Sequence, residues 1–323
     1  MKVKKVILSM LAIWMLMGVL VFPPTITNAS ETRNVVLVHG GWHGEWSWYN
    51  LIDELEDSGY SVTLVELPAH GNDTTSAWNA SAESYVNKIN SALQQNSGKS
   101  ILVVHGSSSA FASRAAELNP NKVDKLLYIS GVLVKNNECV ASVLLKDSYS
   151  TALANAKINL LRGTMSIGPE IVYNTARKGD RMIGENLLGD EPLKAFMSGI
   201  ELGNNFNSIP KYYIQTVQDM SLSFQYQSEL LNKVPCNKVY QINSGHVPFI
   251  TNVQEVVSII DEISTKTETG IIPRGSRSVV EEEAKVYDDP EIEGLVQDEL
   301  SGIDEVSLEE YMRIYDSFAE DED

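Results

Sequence analysis

The stretch Lys99–Glu117, KSILVVHGSSSAFASRAAE, decides the fold. Ile101–Val104 is a short apolar run of the kind that forms a buried strand, and a helix-forming stretch begins at about Ala110. Only His105, Gly106 and three serines stand between them. A strand that turns through small residues directly into a helix is the sequence form of a nucleophile elbow. Such a turn holds a serine in strained backbone geometry with its hydroxyl exposed. Gly106-Ser-Ser-Ser-Ala110 is therefore the place to look for an attacking group.

Outward from the elbow, strands and helices alternate. Asn34–Val38 is a short apolar strand ending in His39-Gly-Gly-Trp-His-Gly44. Glu45–Ser58 carries Trp48, Leu51, Ile52 and Leu55 at helical spacing and stops at Gly59. Ser61–Leu67 reads as a second strand ending in the turn Pro68-Ala-His-Gly71, and Glu83–Leu93 as an amphipathic helix. After the elbow helix, Lys125–Ser130 is apolar throughout, as expected of a parallel sheet covered on both faces. Lys211–Thr216 and Lys238–Ile242 resume the strand pattern, with helices at Leu222–Leu231 and Val253–Ile263. This alternation predicts an α/β fold with a doubly wound, mostly parallel sheet. From about 132 to 208 the pattern loosens into helical segments with no clear strand, the length and place of an inserted helical cap.

The two ends differ from this body. Met1-Lys-Val-Lys-Lys5 is basic, Val6–Phe22 is apolar, Pro23-Pro24 break the run, and Thr27-Asn-Ala29 is a small-x-small site. Residues 1–29 thus read as an export signal, which makes the protein secreted or extracytoplasmic; the alternative is an uncleaved membrane anchor. The body is expected over 30–266. From Glu268 onward there are 19 acidic and 4 basic residues, a net of −15 out of −18 for the 323-residue chain. The acidity belongs to a tail over 267–323, expected to be solvated and disordered, although Leu308–Phe318 could form a short amphipathic helix. Neither part suits nucleic acid. Cys139 and Cys236 are too few and too far apart for a disulfide framework, and two buried free thiols are expected.

The chemistry falls at strand ends, where loops of such a sheet converge. Elbow, then Asp219, then His246 is the order of a Ser-Asp-His triad on an open α/β sheet. His246, in Asn243-Ser-Gly-His-Val-Pro-Phe249, follows the last strand and could shuttle a proton. Asp219 could orient it, or could instead cap the helix that follows. His39-Gly40-Gly41 offers a backbone N–H after the first strand, and an oxyanion hole needs such a donor.

The stretch VVLVHGGWHGEWSWYNLIDELEDSGYSVTLVELPAHGNDTT resembles the start of bacterial α/β-hydrolases similar to plant methylesterases and hydroxynitrile lyases. Similarity continues through Tyr85-Val86, the helix carrying Ala115-Ala-Glu117, Leu127-Tyr-Ile-Ser130, Val172-Tyr-Asn174, Lys211–Asp219 and Ser244–Phe249. The resemblance implies a Ser-His-Asp hydrolase without metal or organic cofactor, acting on a small-molecule ester under a helical cap. It implies His246 and Asp219 as histidine and acid, and Gly41 as first oxyanion donor. Trp42 and Ser109 are candidates for substrate contact.

The elbow departs from the family. The family pattern resembles V-G-H-S-M-G-G, nine residues from its Ser to Ala-Ala-Glu, and without gaps Gly106 falls on the nucleophilic serine. A slip of one residue would bring in Ser107. A slip of two would bring in Ser108, flanked by small residues but with the following helix turned by about half a turn. Three functions follow: an exported ester hydrolase using Ser107 or Ser108, a hydroxynitrile lyase, or a catalytically silent small-molecule-binding homologue. The resemblance implies a Lys after the catalytic His of the lyases, and Val247 stands there instead. The ester hydrolase is the expectation carried forward.

Overall fold

The computed structural model describes residues 33–266, 295–296, 299–300 and 305–319. The export segment expected at 1–29 and most of the acidic tail lie outside the described residues. In chain order the first elements are β1 (Arg33–Val38), α1 (Tyr49–Asp57), β2 (Tyr60–Val65), α2 (Ala82–Gln95), β3 (Ser100–His105), α3 (Ser108–Leu118) and β4 (Val123–Ile129). The cap follows as α4 (Val140–Leu144), α5 (Thr151–Asn155), β5 (Lys157–Asn159), β6 (Thr164–Ser166), α6 (Pro169–Val172), α7 (Lys178–Leu187), β7 (Glu191–Pro192), α8 (Leu193–Met197) and α9 (Asn204–Ser208). The chain then returns through β8 (Lys211–Thr216), α10 (Phe224–Lys233), β9 (Lys238–Ile242), α11 (Pro248–Thr251) and α12 (Val253–Ser264). Two further elements, β10 (Glu305–Ser307) and α13 (Leu308–Ala319), come from the tail.

The six strands of the main sheet lie in the order β2-β1-β3-β4-β8-β9, and all neighbours are parallel. The continuous apolar strands fit this arrangement because alternate residues feed two different cores. Val36, Val38, Leu102, Val104, Leu126 and Tyr128 join the core beneath α2, α3 and the cap. Val35, Leu37, Ile101, Val103, Leu127 and Ile129 join the opposite core against α1 and α12. A strand buried on both faces has no polar side, hence the unbroken apolar runs. The strand order reverses between β1 and β3. Their carboxyl ends therefore open the crevice in which an open α/β sheet binds ligands.

The cap corrects the expectation of helices alone. β5, β6 and β7 form an antiparallel sheet within it. These strands are two or three residues long, too short to register as an alternating pattern. The described part of the tail also departs from the expected disorder. β10 pairs antiparallel with β5, extending the cap sheet, and Val296, Leu300, Val306 and Tyr311 are buried in the same core as the cap. Burying each such side chain is worth about 1.5–3 kcal/mol, which ties these sparse apolar residues down despite their acidic surroundings. Cys139, which is buried, and Cys236, which is half-buried, are not joined in a disulfide. Among the described residues no helix is long and apolar enough to cross a membrane.

Candidate active site

β3 runs into the elbow at Gly106, whose φ of +55° is left-handed. Residues with a side chain adopt this region at a cost, and it is where a nucleophile elbow holds its serine. The turn is fixed by backbone bonds: the Gly106 N–H donates to the Ile129 carbonyl (3.0 Å), and the Gly106 carbonyl accepts from the N–H of Val132 (3.0 Å) and Ser109 (3.2 Å). A Cβ on Gly106 would lie 3.3 Å from His246 Nε2. The structure thus has the gap-free register, with glycine at the strained position and its missing side chain directed at the histidine.

The serines after it are placed differently from one another. Ser107 has right-handed helical geometry (φ −60°, ψ −30°), lines the pocket, and its Oγ accepts the Gly41 N–H at 3.1 Å. Ser108 opens α3 and is buried, without a share in the pocket lining. Ser109 is also buried away from the pocket, its Oγ packed where a Cβ on Gly131 would stand. Of the expected serines, only Ser107 shares a cavity with His246.

His246 is carried on the loop between β9 and α11, and Asp219 on the loop after β8. The structure brings them together: Nδ1 of His246 lies 2.8 Å from Asp219 Oδ2. That oxygen also accepts the Thr216 hydroxyl (2.8 Å), while Oδ1 accepts the N–H groups of Ser221 (2.8 Å) and Leu222 (3.0 Å). The two readings of Asp219 are therefore compatible: one oxygen ties down the following turn and the other holds the imidazole. A carboxylate at Nδ1 fixes the tautomer with the proton on that atom, so Nε2 is left as a base facing the elbow. His105 holds the loop from behind, donating from Nε2 to the His246 carbonyl at 2.9 Å. It packs so tightly on Gly40 that a Cβ there would sit 2.4 Å from His105 Nδ1.

The other wall is the loop after β1. Trp42 takes a left-handed φ of +64°, and His43 Nδ1 donates to the Gly41 carbonyl at 2.8 Å. Burial pushes the His43 ring down to about 3 and His105 well below its usual range, so both rings are neutral at physiological pH. Burial also lowers His39. His70 goes the other way. Burial opposes its charge, but the Glu191 carboxylate 2.8 Å from Nε2 outweighs that and raises it. Glu191 lies in β7 and was not legible as a site residue, since a lone acid in the cap has no motif spacing to mark it.

Gly106, Ser107, Ser221 and His246 line the pocket, with Trp42 alongside. The Ser221 hydroxyl is buried and has no hydrogen-bond partner among the described residues. The remaining walls, Val132, Leu144, Ala152, Ala156, Met165 and Leu222, are apolar. Four of these six come from the cap elements α4, α5 and β6 or the residue next to α5, so the cap sets most of the shape a substrate meets. The geometry offers a base, backbone donors across from it, and a small, largely apolar cavity between them.

Comparison with known proteins identifies the family and the fold. Residues 35–259 match the sequence model of the alpha/beta hydrolase family. An Arabidopsis thaliana protein with the provisional name methylesterase 11, chloroplastic, is 27% identical over 251 residues, covering 72% of this chain and 64% of the relative. The chain spans 57% of methylesterase 13 from the same plant, so it covers about three fifths of the length of these two relatives. Methylesterase 7 of Arabidopsis thaliana is 27% identical over 260 residues, covering 74% of this chain and 99% of the relative. Among solved structures, a His-to-Ala mutant of polyneuridine aldehyde esterase superposes with a TM-score of 0.66 at 21% identity, covering 72% of this chain and all of that one. A methylesterase of Arabidopsis superposes with a TM-score of 0.61 at 22% identity, covering 72% and 98%. With the family model matching well over half of its length, the chain belongs to the alpha/beta hydrolase family.

Proposed function

We propose that this chain is a carboxylic-ester hydrolase in which His246, oriented by Asp219, activates the attacking oxygen. The observation that carries this is the pair itself. The 2.8 Å contact between His246 Nδ1 and buried Asp219 Oδ2 leaves Nε2 facing an elbow that opens into an apolar pocket. A chain that only bound its ligand would have no use for a base so held.

Because residue 106 has no hydroxyl, the attacking oxygen is that of substrate water taken up beside Gly106. His246 Nε2 removes its proton as the oxygen bonds to the ester carbonyl carbon. The Asp219 carboxylate stabilises the imidazolium that forms. Negative charge develops on the carbonyl oxygen. The Ser107 N–H and the Ser107 hydroxyl, which accepts from the Gly41 N–H while donating onward, stand ready to receive it. The imidazolium then protonates the departing alkoxide, giving acid and alcohol. The relatives' names point to methyl esters, and walls of Ala152, Ala156 and Val132 suit a short apolar substrate. Residues 1–29 would export the enzyme.

A second reading is favoured by one observation: Ser107 lines the same pocket as His246. Turned away from Gly41, its hydroxyl would attack in place of water and complete a Ser-His-Asp triad. Fluorophosphonate labelling beside an ester-hydrolysis assay separates the cases. Hydrolysis without a label supports water attack, and a label on Ser107 supports the serine. Neither, in a folded protein, would sink the hydrolase and leave a binding site. Under the first reading, His246→Ala and Asp219→Asn are each expected to lower kcat about 10²- to 10⁴-fold, the usual contribution of a positioned general base, with KM little changed.

A further inference from the structure

We propose that Glu191, reaching down from the cap, is a positioning residue that sets the direction of the Gly41 N–H; this rests on the hydrolase reading above. Glu191 is 1% exposed. Its Oε2 accepts the Trp42 N–H at 3.0 Å and faces His70 Nε2 at 2.8 Å, and its Oε1 accepts the Tyr85 hydroxyl at 3.2 Å. A carboxylate so completely removed from water is costly unless every lone pair is used, and here both oxygens are partnered.

What it holds matters for the chemistry. Trp42 is a bulky residue in left-handed conformation, a geometry that persists only where its surroundings enforce it. Three hydrogen bonds from the cap region do so: the N–H to Glu191, the indole N–H to the Met165 carbonyl (2.9 Å), and the Trp42 carbonyl from the Gly189 N–H (2.8 Å). The peptide between Gly41 and Trp42 is thereby fixed at both ends, its N–H by Glu191 and its carbonyl by His43. The carbonyl before it, that of Gly40, accepts from the His43 N–H (3.3 Å) and faces His39 Nδ1 (2.9 Å). Gly41 has no side chain to restrain it, so these two anchored peptides aim its own N–H, which donates to the Ser107 Oγ at 3.1 Å. Of these anchors Glu191 alone is a charged side chain from the cap. The cap therefore shapes the pocket and also aims the N–H that holds the Ser107 hydroxyl, the side-chain donor of the oxyanion site.

The test uses the full chain with Glu191→Ala and Glu191→Gln, assayed on a p-nitrophenyl ester and by amide NMR. Glu191→Ala is expected to lower kcat about 10- to 100-fold, short of losing a donor outright, with KM within about twofold. Glu191→Gln keeps an acceptor for the Trp42 N–H and is expected to restore most of kcat. The Gly41 and Trp42 amide signals should shift and exchange faster in Glu191→Ala and stay near their wild-type positions in Glu191→Gln. Should Glu191→Ala not fold, Glu191→Asp keeps the charge but draws the carboxylate back by one methylene, and is expected to lower kcat in the same way. An unchanged kcat, a rise in KM alone, or an undisturbed Gly41 amide would overturn the proposal. If wild-type protein hydrolyses nothing, the hydrolase reading fails by itself, and the Gly41 amide still decides whether Glu191 positions it.

Discussion

Gly106→Ser is expected to raise ester turnover by about two orders of magnitude or more and to create a serine that fluorophosphonates label. An attached, aligned nucleophile replaces a bimolecular encounter with water, and effective molarities of such groups reach about 10⁵–10⁸ M. In subtilisin, losing the nucleophilic serine costs about 2 × 10⁶ in kcat, which bounds what restoring one could return. The geometry is prepared for it. The new Cβ would stand 3.3 Å from His246 Nε2, so the imidazole yields by a few tenths of an ångström and the hydroxyl falls within its reach. The left-handed φ of +55° costs a non-glycine residue about 1–2 kcal/mol, which a domain of ordinary stability tolerates. Gly106→Ala is the matched control. Its methyl takes the place beside Nε2 where water attacks and brings no hydroxyl, so turnover should fall below wild type. A folded Gly106→Ser protein with neither faster hydrolysis nor a label would mean that the base and the oxyanion donors do not work together.

That prediction depends on a register that the sequence raised but left open. The doubly wound sheet was legible because Val35–Val38, Ile101–Val104 and Leu126–Ile129 are apolar without a break, and helical patterns alternate with the strands. His246 and Asp219 were legible because strand ends are few and the order elbow, acid, histidine is restrictive. Which residue stands at the elbow was not, because three consecutive serines allow three alignments of similar appearance. Only backbone dihedrals separate a left-handed Gly106 from a right-handed helical Ser107. Glu191 and the short cap strands were hidden for another reason. Their significance arises from partners far along the chain, such as Trp42 149 residues away, and leaves no local pattern. Tyr311 and Val306 in the tail were masked by composition, which averages a few buried apolar residues into an acidic background.

The same buried histidines that shape the site are expected to make the fold labile to mild acid. His39, His43 and His105 are fully buried, and burial lowers the affinity of each for a proton, to about 3 for His43. In the unfolded chain each would titrate near 6.5. Below that pH the unfolded state binds protons that the folded state refuses, so stability falls as pH falls. The two protons that His43 and His105 refuse give a slope of about 3 kcal/mol per pH unit once the unfolded histidines are charged, and His39 adds to it in the same direction. A domain near the lower end of the usual range of about 5–15 kcal/mol would unfold about two pH units below 6.5. His70 has the opposite sign: raised by Glu191, its contribution is complete below 6.5 and is lost only as pH rises through its folded value. It therefore cannot offset the acid slope, and stability should peak close to neutral pH. Urea unfolding at pH 7.5, 6.5 and 5.5 measures this directly. His43→Asn, which removes one of these protons, should flatten the slope below 6.5 by about a third to a half. Equal stability at 7.5 and 5.5 would show that these rings take up protons in the folded state. The polar network behind the oxyanion loop would then have to open to water as the pH drops, and its hold on Gly41 would loosen with it.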